Sequence, residues 1–107
     1  VCMIQQTLFI SFDEPLAGDE AVAALAGIEA AIERSGLTRS LVIRPHLAVP
    51  GEEDIPAFIG SVVLQVGLPD LEALGQLFAA TDVTASFDEL REVHPYTTAW
   101  VNHETLS

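Results

Sequence analysis

Residues 3–12 read MIQQTLFISF, and their alternation decides the fold. The even positions Ile4, Leu8, Ile10 and Phe12 are apolar, with Gln6 among them, while Gln5, Thr7, Phe9 and Ser11 make a mixed set. Successive side chains of a strand point to opposite faces, so the pattern predicts a half-buried strand with one apolar face. Pro15 and Gly18 break the chain after it.

Working outward, Asp19 can cap a helix over 19–35, in which Val22, Leu25, Ile28 and Ile32 recur at helical spacing before Gly36. Alternation returns over 39–49. Leu41, Ile43, Leu47 and Val49 share one side, and Val42, Arg44 and His46 the other; Pro45 marks an edge strand or a bulge. The acidic loop 50–54 leads to a third strand over 57–67. Phe58, Val62, Leu64 and Val66 form its more apolar side, and Ile59, Ser61, Val63 and Gln65 the other. A second helix spans 70–80, DLEALGQLFAA, with the stripe Leu71, Leu74, Leu77 and Phe78. Ser86 and Glu89 have the spacing of a capping box, which predicts one further helical turn. Pro95 then introduces a last strand over 96–104.

This element order predicts one α+β domain, residues 1–107: a ferredoxin-like βαββαβ plait with two helices on one face of a four-stranded antiparallel sheet. The second and fourth strands would be the edges, where Pro45 and Pro95 fall. The expected core is Leu8, Ile10, Leu25, Ile32, Leu41, Ile43, Val62, Leu64, Leu74 and Phe78.

Composition narrows the function. Half of the 107 residues are hydrophobic and 19% are charged, a balance that favours a packed core over disorder. Four arginines and no lysine face sixteen acidic residues, for a net charge of −12. Nucleic acid and anionic membranes need a cationic surface, which this chain cannot assemble. Cys2 is the only cysteine, so no internal disulfide forms. No apolar run is long enough to span a bilayer, and a cytoplasmic setting is the expectation.

The sheet face without helices would carry Gln5, Thr7, Phe9, Ser11, Val42, Arg44, His46, Ile59, Ser61, Val63 and Gln65. That set is too apolar for open water and too polar for a second core, which points to a homodimer packed sheet to sheet. In element order, length and face polarity nearly the whole chain resembles the dimeric α+β barrel superfamily. That group includes small antibiotic-biosynthesis monooxygenases, stress-responsive barrel proteins and polyketide cyclases. The resemblance implies a cavity between the sheet and its helices or loops, and chemistry that uses no cofactor.

Two polar groupings are candidates for that chemistry. His46 shares a strand face with Arg44, and an imidazole there could take a proton from an enolisable substrate while the guanidinium steadies the oxyanion. The plainer alternative is an edge-strand pair facing solvent or a partner. His94, before Pro95, stands where a loop meets a strand end and is a third catalytic candidate. Tyr96, Trp100 and Asn102 share one side of the last strand, where an indole, an amide and a phenol could hold an aromatic substrate. In the monooxygenases that the chain resembles, such residues play these parts. Thr7, Phe9, Ser61 and Gln65 would add substrate contacts from neighbouring strands. His103 reads as a solvated terminal residue. No His-x-x-x-His spacing exists, so no metal is expected.

The leading expectation is a cofactor-independent enzyme acting on a small apolar or aromatic, polyketide-like molecule, by proton transfer and cyclisation or by oxygenation. The alternative is a non-catalytic dimeric module that binds a small ligand or a protein.

Overall fold

The computed structural model describes residues 3–105. Cys2, on which the disulfide argument turns, lies outside the described residues. The elements run β1 (Ile4–Phe12), α1 (Gly18–Ala24), α2 (Ala26–Arg34), β2 (Ser40–Pro45), β3 (Val62–Leu68), α3 (Leu71–Ala79), α4 (Thr81–Val93) and β4 (Tyr96–Glu104). A 3₁₀ turn, Glu52–Asp54, interrupts the long β2–β3 connection. All neighbouring strands are antiparallel in the order β2-β3-β1-β4, so Pro45 and Pro95 do fall at the two edge strands.

The alternation of β1 is obeyed closely. Leu8, Ile10 and Phe12 are buried under the helices, while Phe9 on the opposite face is exposed. The core closes Leu8, Ile10, Leu25, Ile32, Ile43, Val62, Leu64 and Leu74 into one cluster, with Leu41 and Phe78 packed against it half-buried.

Four helical segments stand where two and a single turn were expected. The first helix breaks at Leu25 (φ −89°, ψ 4°), whose N–H donates to Val22 O at 3.1 Å, a tightened turn. The break lets Leu25 sink fully into the core. Asp19 lies in the first turn of α1 rather than at its cap. The supposed capping box lies inside α4: Ser86 Oγ donates to Val83 O at 2.6 Å, as a mid-helix serine does. Val83 and Leu90 are the buried side of that helix.

Two expected strands are shorter. β2 ends at Pro45, and 46–61 is loop apart from its 3₁₀ turn, so Leu47 and Val49 are exposed rather than sheet-bound. The second expected helix does begin at Asp70, which caps α3 and accepts from Ala73 N–H at 2.8 Å. Gly67 pairs with Ser40, and a Cβ on Gly67 would come within 2.3 Å of Ser40 Oγ, so a larger residue there would require the serine side chain to turn away.

Candidate functional site

A cleft of about 570 Å³ opens between the β1–β4 half of the sheet and the pair α3–α4. Its floor is set by cross-strand pairing: Gln6 faces Asn102, Leu8 faces Trp100, Ile10 faces Thr98 and Phe12 faces Tyr96. Period-two spacing puts Tyr96, Thr98, Trp100 and Asn102 on that one side, and all four line the cleft. The roof is apolar, from Leu71, Leu74 and Phe78 of α3 with Phe87 of α4. Phe78 and Phe87 rings meet at 6.1 Å, tilted 43°. Gly75 also faces the cleft, with open space where a side chain would be.

The two ends differ. At one end Arg91 lies 4.5 Å over the Tyr96 ring, and the Tyr96 hydroxyl donates to Phe87 O at 3.2 Å. Burial raises the Tyr96 phenol above its ordinary range, although the Arg91 charge pulls the other way. Asp88 and Arg91 are the only charged side chains on the lining, so the cleft is formally neutral in a chain of net charge −12.

At the other end Gln6 Nε2 donates to Asn102 Oδ1 at 2.9 Å. Gln6 Oε1 is buried without a partner, alone in this among the described side chains. Leaving a buried amide oxygen unpaired costs about 1–3 kcal/mol. Gln6 was missed as a site residue in the sequence, although it is the one polar side chain on an otherwise apolar strand face.

The remaining candidates lie elsewhere. Thr7, Phe9, Gln65 and Arg44 sit on the opposite sheet face. Arg44 is exposed and donates to the carbonyl of Ile43 at 2.8 Å. His46 stands just beyond β2, where Nε2 is bonded to Glu52 Oε1. That bond is the main reason the Glu52 carboxyl falls below its ordinary range. His46, Glu52, Phe9, Leu47, Phe58 and Ile59 border a second hollow of about 540 Å³ on this face. Ser61 Oγ accepts from Phe12 N–H at 3.0 Å. His94 caps α4, its N–H bonded to Leu90 O and its ring edge-on to Phe12 at 5.8 Å, outside the cleft lining.

His103 differs from its expectation. It is half-buried and bonded on both ring nitrogens, Nε2 to Thr7 Oγ1 and Nδ1 to Glu104 O, each at 2.7 Å. Gln65 Nε2 donates to the same Thr7 oxygen at 3.1 Å. The antiparallel β1–β4 register places Thr7 within reach of this histidine, which its position near the chain end does not reveal. Among the described residues no group of three histidine, cysteine or acidic side chains is gathered as a metal site. No described helix is long and apolar enough to cross a membrane.

No protein-family model and no curated protein matches the chain. Solved structures do. A cofactor-independent oxygenase from Streptomyces nogalater, SnoaB, aligns with a TM-score of 0.70 at 13% identity, over 100% of this chain and 96% of its own. A DABB family protein with a ferredoxin-like fold from Mesorhizobium loti gives 0.69 at 15%, over the whole of both chains. A dimeric ferredoxin-like protein of unknown function from Thermobifida fusca gives 0.71 at 8%, over 97% and 92%. At such identities the likeness shows the fold alone: this chain is a ferredoxin-like α+β domain of the architecture that these proteins share.

Proposed function

We propose that the chain is a cofactor-independent enzyme that holds a small, neutral, largely apolar or aromatic molecule in the cleft between β1–β4 and α3–α4. The observation that carries this reading is the cleft itself: mostly apolar walls, an exposed Trp100 on the floor, Asp88 and Arg91 with Tyr96 at one end, and the amides of Gln6 and Asn102 at the other. The likeness to an oxygenase that needs no cofactor supports the chemistry. Oxygenation fits the lining better than histidine-driven proton transfer, because no histidine borders the cleft and His46 belongs to the other face. Asp88 is the one carboxylate on the lining and would accept a proton from an acidic substrate. Arg91 would balance the anion so formed, which gives an electron to dioxygen. The radical pair joins in a C–O bond as a hydroperoxide, and cleavage of its O–O bond with loss of water leaves a carbonyl, the substrate having supplied the electrons.

The same lining favours a second reading, a non-catalytic binding module, since Asp88 is the one carboxylate there and no histidine borders the cleft. Incubation of acidic aromatic substrates with the protein, with and without dioxygen, separates the two. Oxygen-dependent turnover that is lost in Asp88→Asn supports the enzyme. Binding at the cleft without turnover supports the module.

The assembly in this reading is a homodimer through the bare sheet face. Phe9 (38% exposed), Val42 (40%) and Val101 (57%) lie there, and structural neighbours are described as dimeric. An obligate contact of this kind buries about 2,000 Å² or more in total. Sedimentation equilibrium at micromolar concentration gives twice 11.4 kDa if it holds, and the mass of a single chain if it does not.

A further inference from the structure

Gln6 interrupts a strand face otherwise made of Ile4, Leu8, Ile10 and Phe12. It is 5% exposed and lines the cleft. Its amide N–H already bonds Asn102 across the β1–β4 ladder, which is all that fixing the strand register requires. The carbonyl oxygen is left unpartnered, and the residue opposite on β3 is Val66, which offers no side-chain donor. A leucine at this position would remove the unsatisfied oxygen and suit the face. A glutamine whose oxygen is satisfied by a bound molecule accounts for its presence on this face.

We infer that Gln6 is the ligand-anchoring residue of the cleft, and that the bound molecule carries a hydroxyl group at the end that meets Gln6 and Asn102. The inference rests on the cleft being the ligand site. A buried acceptor oxygen selects a donor and repels an ether, a ketone or an anion, whose lone pairs would face its own. The Asn102 amide nitrogen, not engaged in the bond to Gln6, stands at the same edge and can donate to the hydroxyl oxygen. One donor and one acceptor side by side match a group that both donates and accepts. The neutral lining agrees with a protonated, uncharged hydroxyl.

The test uses 2-naphthol, 2-methoxynaphthalene and naphthalene near neutral pH, where all three are uncharged. Calorimetry gives the affinities, and emission of Trp100, the only tryptophan, reports cleft occupancy. The wild type is expected to bind 2-naphthol about tenfold more tightly than its methyl ether. Gln6→Leu is expected to bind the two alike and, without ligand, to melt at a higher temperature than the wild type. Equal affinities for naphthol and ether in the wild type overturn the inference while leaving the cleft reading standing. So does a preference that survives Gln6→Leu. If none of the three perturbs Trp100, the cleft reading fails and the inference falls with it. Should Gln6→Leu not fold, the wild-type comparison decides alone.

Discussion

Leu8 and Trp100 face each other across the β1–β4 ladder, yet Leu8 is 4% exposed and Trp100 is 55% exposed. The helices therefore close over β1 and reach β4 at Tyr96, but leave Trp100 open. The cleft is the gap left there between the sheet and α3–α4, and the large ring on its floor is not part of the monomer's core.

That contrast sets the first prediction. Leu8→Ala should destabilise the protein by about 2–5 kcal/mol, as truncation of a buried leucine does. Trp100→Ala should cost well under half of that while weakening binding of aromatic ligands by at least about tenfold. Urea denaturation read by circular dichroism, paired with calorimetric titration, checks both. A Trp100→Ala variant as unstable as Leu8→Ala would mean that the ring belongs to the core.

Gly75 gives the second. Nothing lies within 4 Å of a Cβ built there, and helix α3 continues on both sides of it. Gly75→Ala should raise stability by about 0.5–1 kcal/mol through helix propensity alone. Gly75→Leu should fold as well but fill the cleft and abolish ligand binding. Unchanged affinity in the leucine variant would place the ligand elsewhere.

Tyr96 is the chain's only tyrosine, so alkaline titration of its absorbance reads one group. Burial raises its folded-state value, and the phenol should ionise above the ordinary pH of about 10. A raised value means that the folded state holds the proton more tightly. The associated stability is thus complete below the unfolded pKa and lost as pH rises through the folded one. A ligand seated beside Tyr96 should push the midpoint higher still, and a midpoint below 10 in the free protein would contradict this burial.

The His46–Glu52 bond predicts a pH effect of opposite sense. Glu52 is depressed chiefly by the hydrogen bond from His46, so its contribution is present above the ordinary carboxylate pKa and lost as pH falls through the folded value. In His46→Ala the Glu52 midpoint, followed by carboxylate NMR, should rise to the ordinary range. Ligand affinity at the cleft should not change, because His46 borders the other face.

The sheet was legible because period two is a strong signal: β4 falls on 96–104 as read, and β1 differs by one residue. The face shared by Tyr96, Trp100 and Asn102 followed from the same spacing. Helix α4 was hidden because Thr81, Asp82, Thr84 and Ser86 are weak helix formers, although Val83, Phe87 and Leu90 already carried a helical stripe. The loop 46–61 read as strand at both ends because Leu47, Val49, Phe58 and Ile59 are apolar; Leu47, Val49 and Phe58 are nevertheless exposed on a loop outside the sheet. The unpaired oxygen of Gln6 and the Thr7–His103 bond depend on which strands become neighbours, and no local pattern encodes that.

A ¹H–¹⁵N NMR titration with 2-naphthol reads out whether ligand occupies the β1–β4 cleft. The chain's single indole N–H, on Trp100, and the side-chain amides of Gln6 and Asn102 should shift together and saturate at one ligand per chain, while the signals of Leu47, Glu52 and Phe58 stay fixed. Shifts confined to the hollow beside His46, with the Trp100 indole unmoved, would place the ligand on the opposite sheet face.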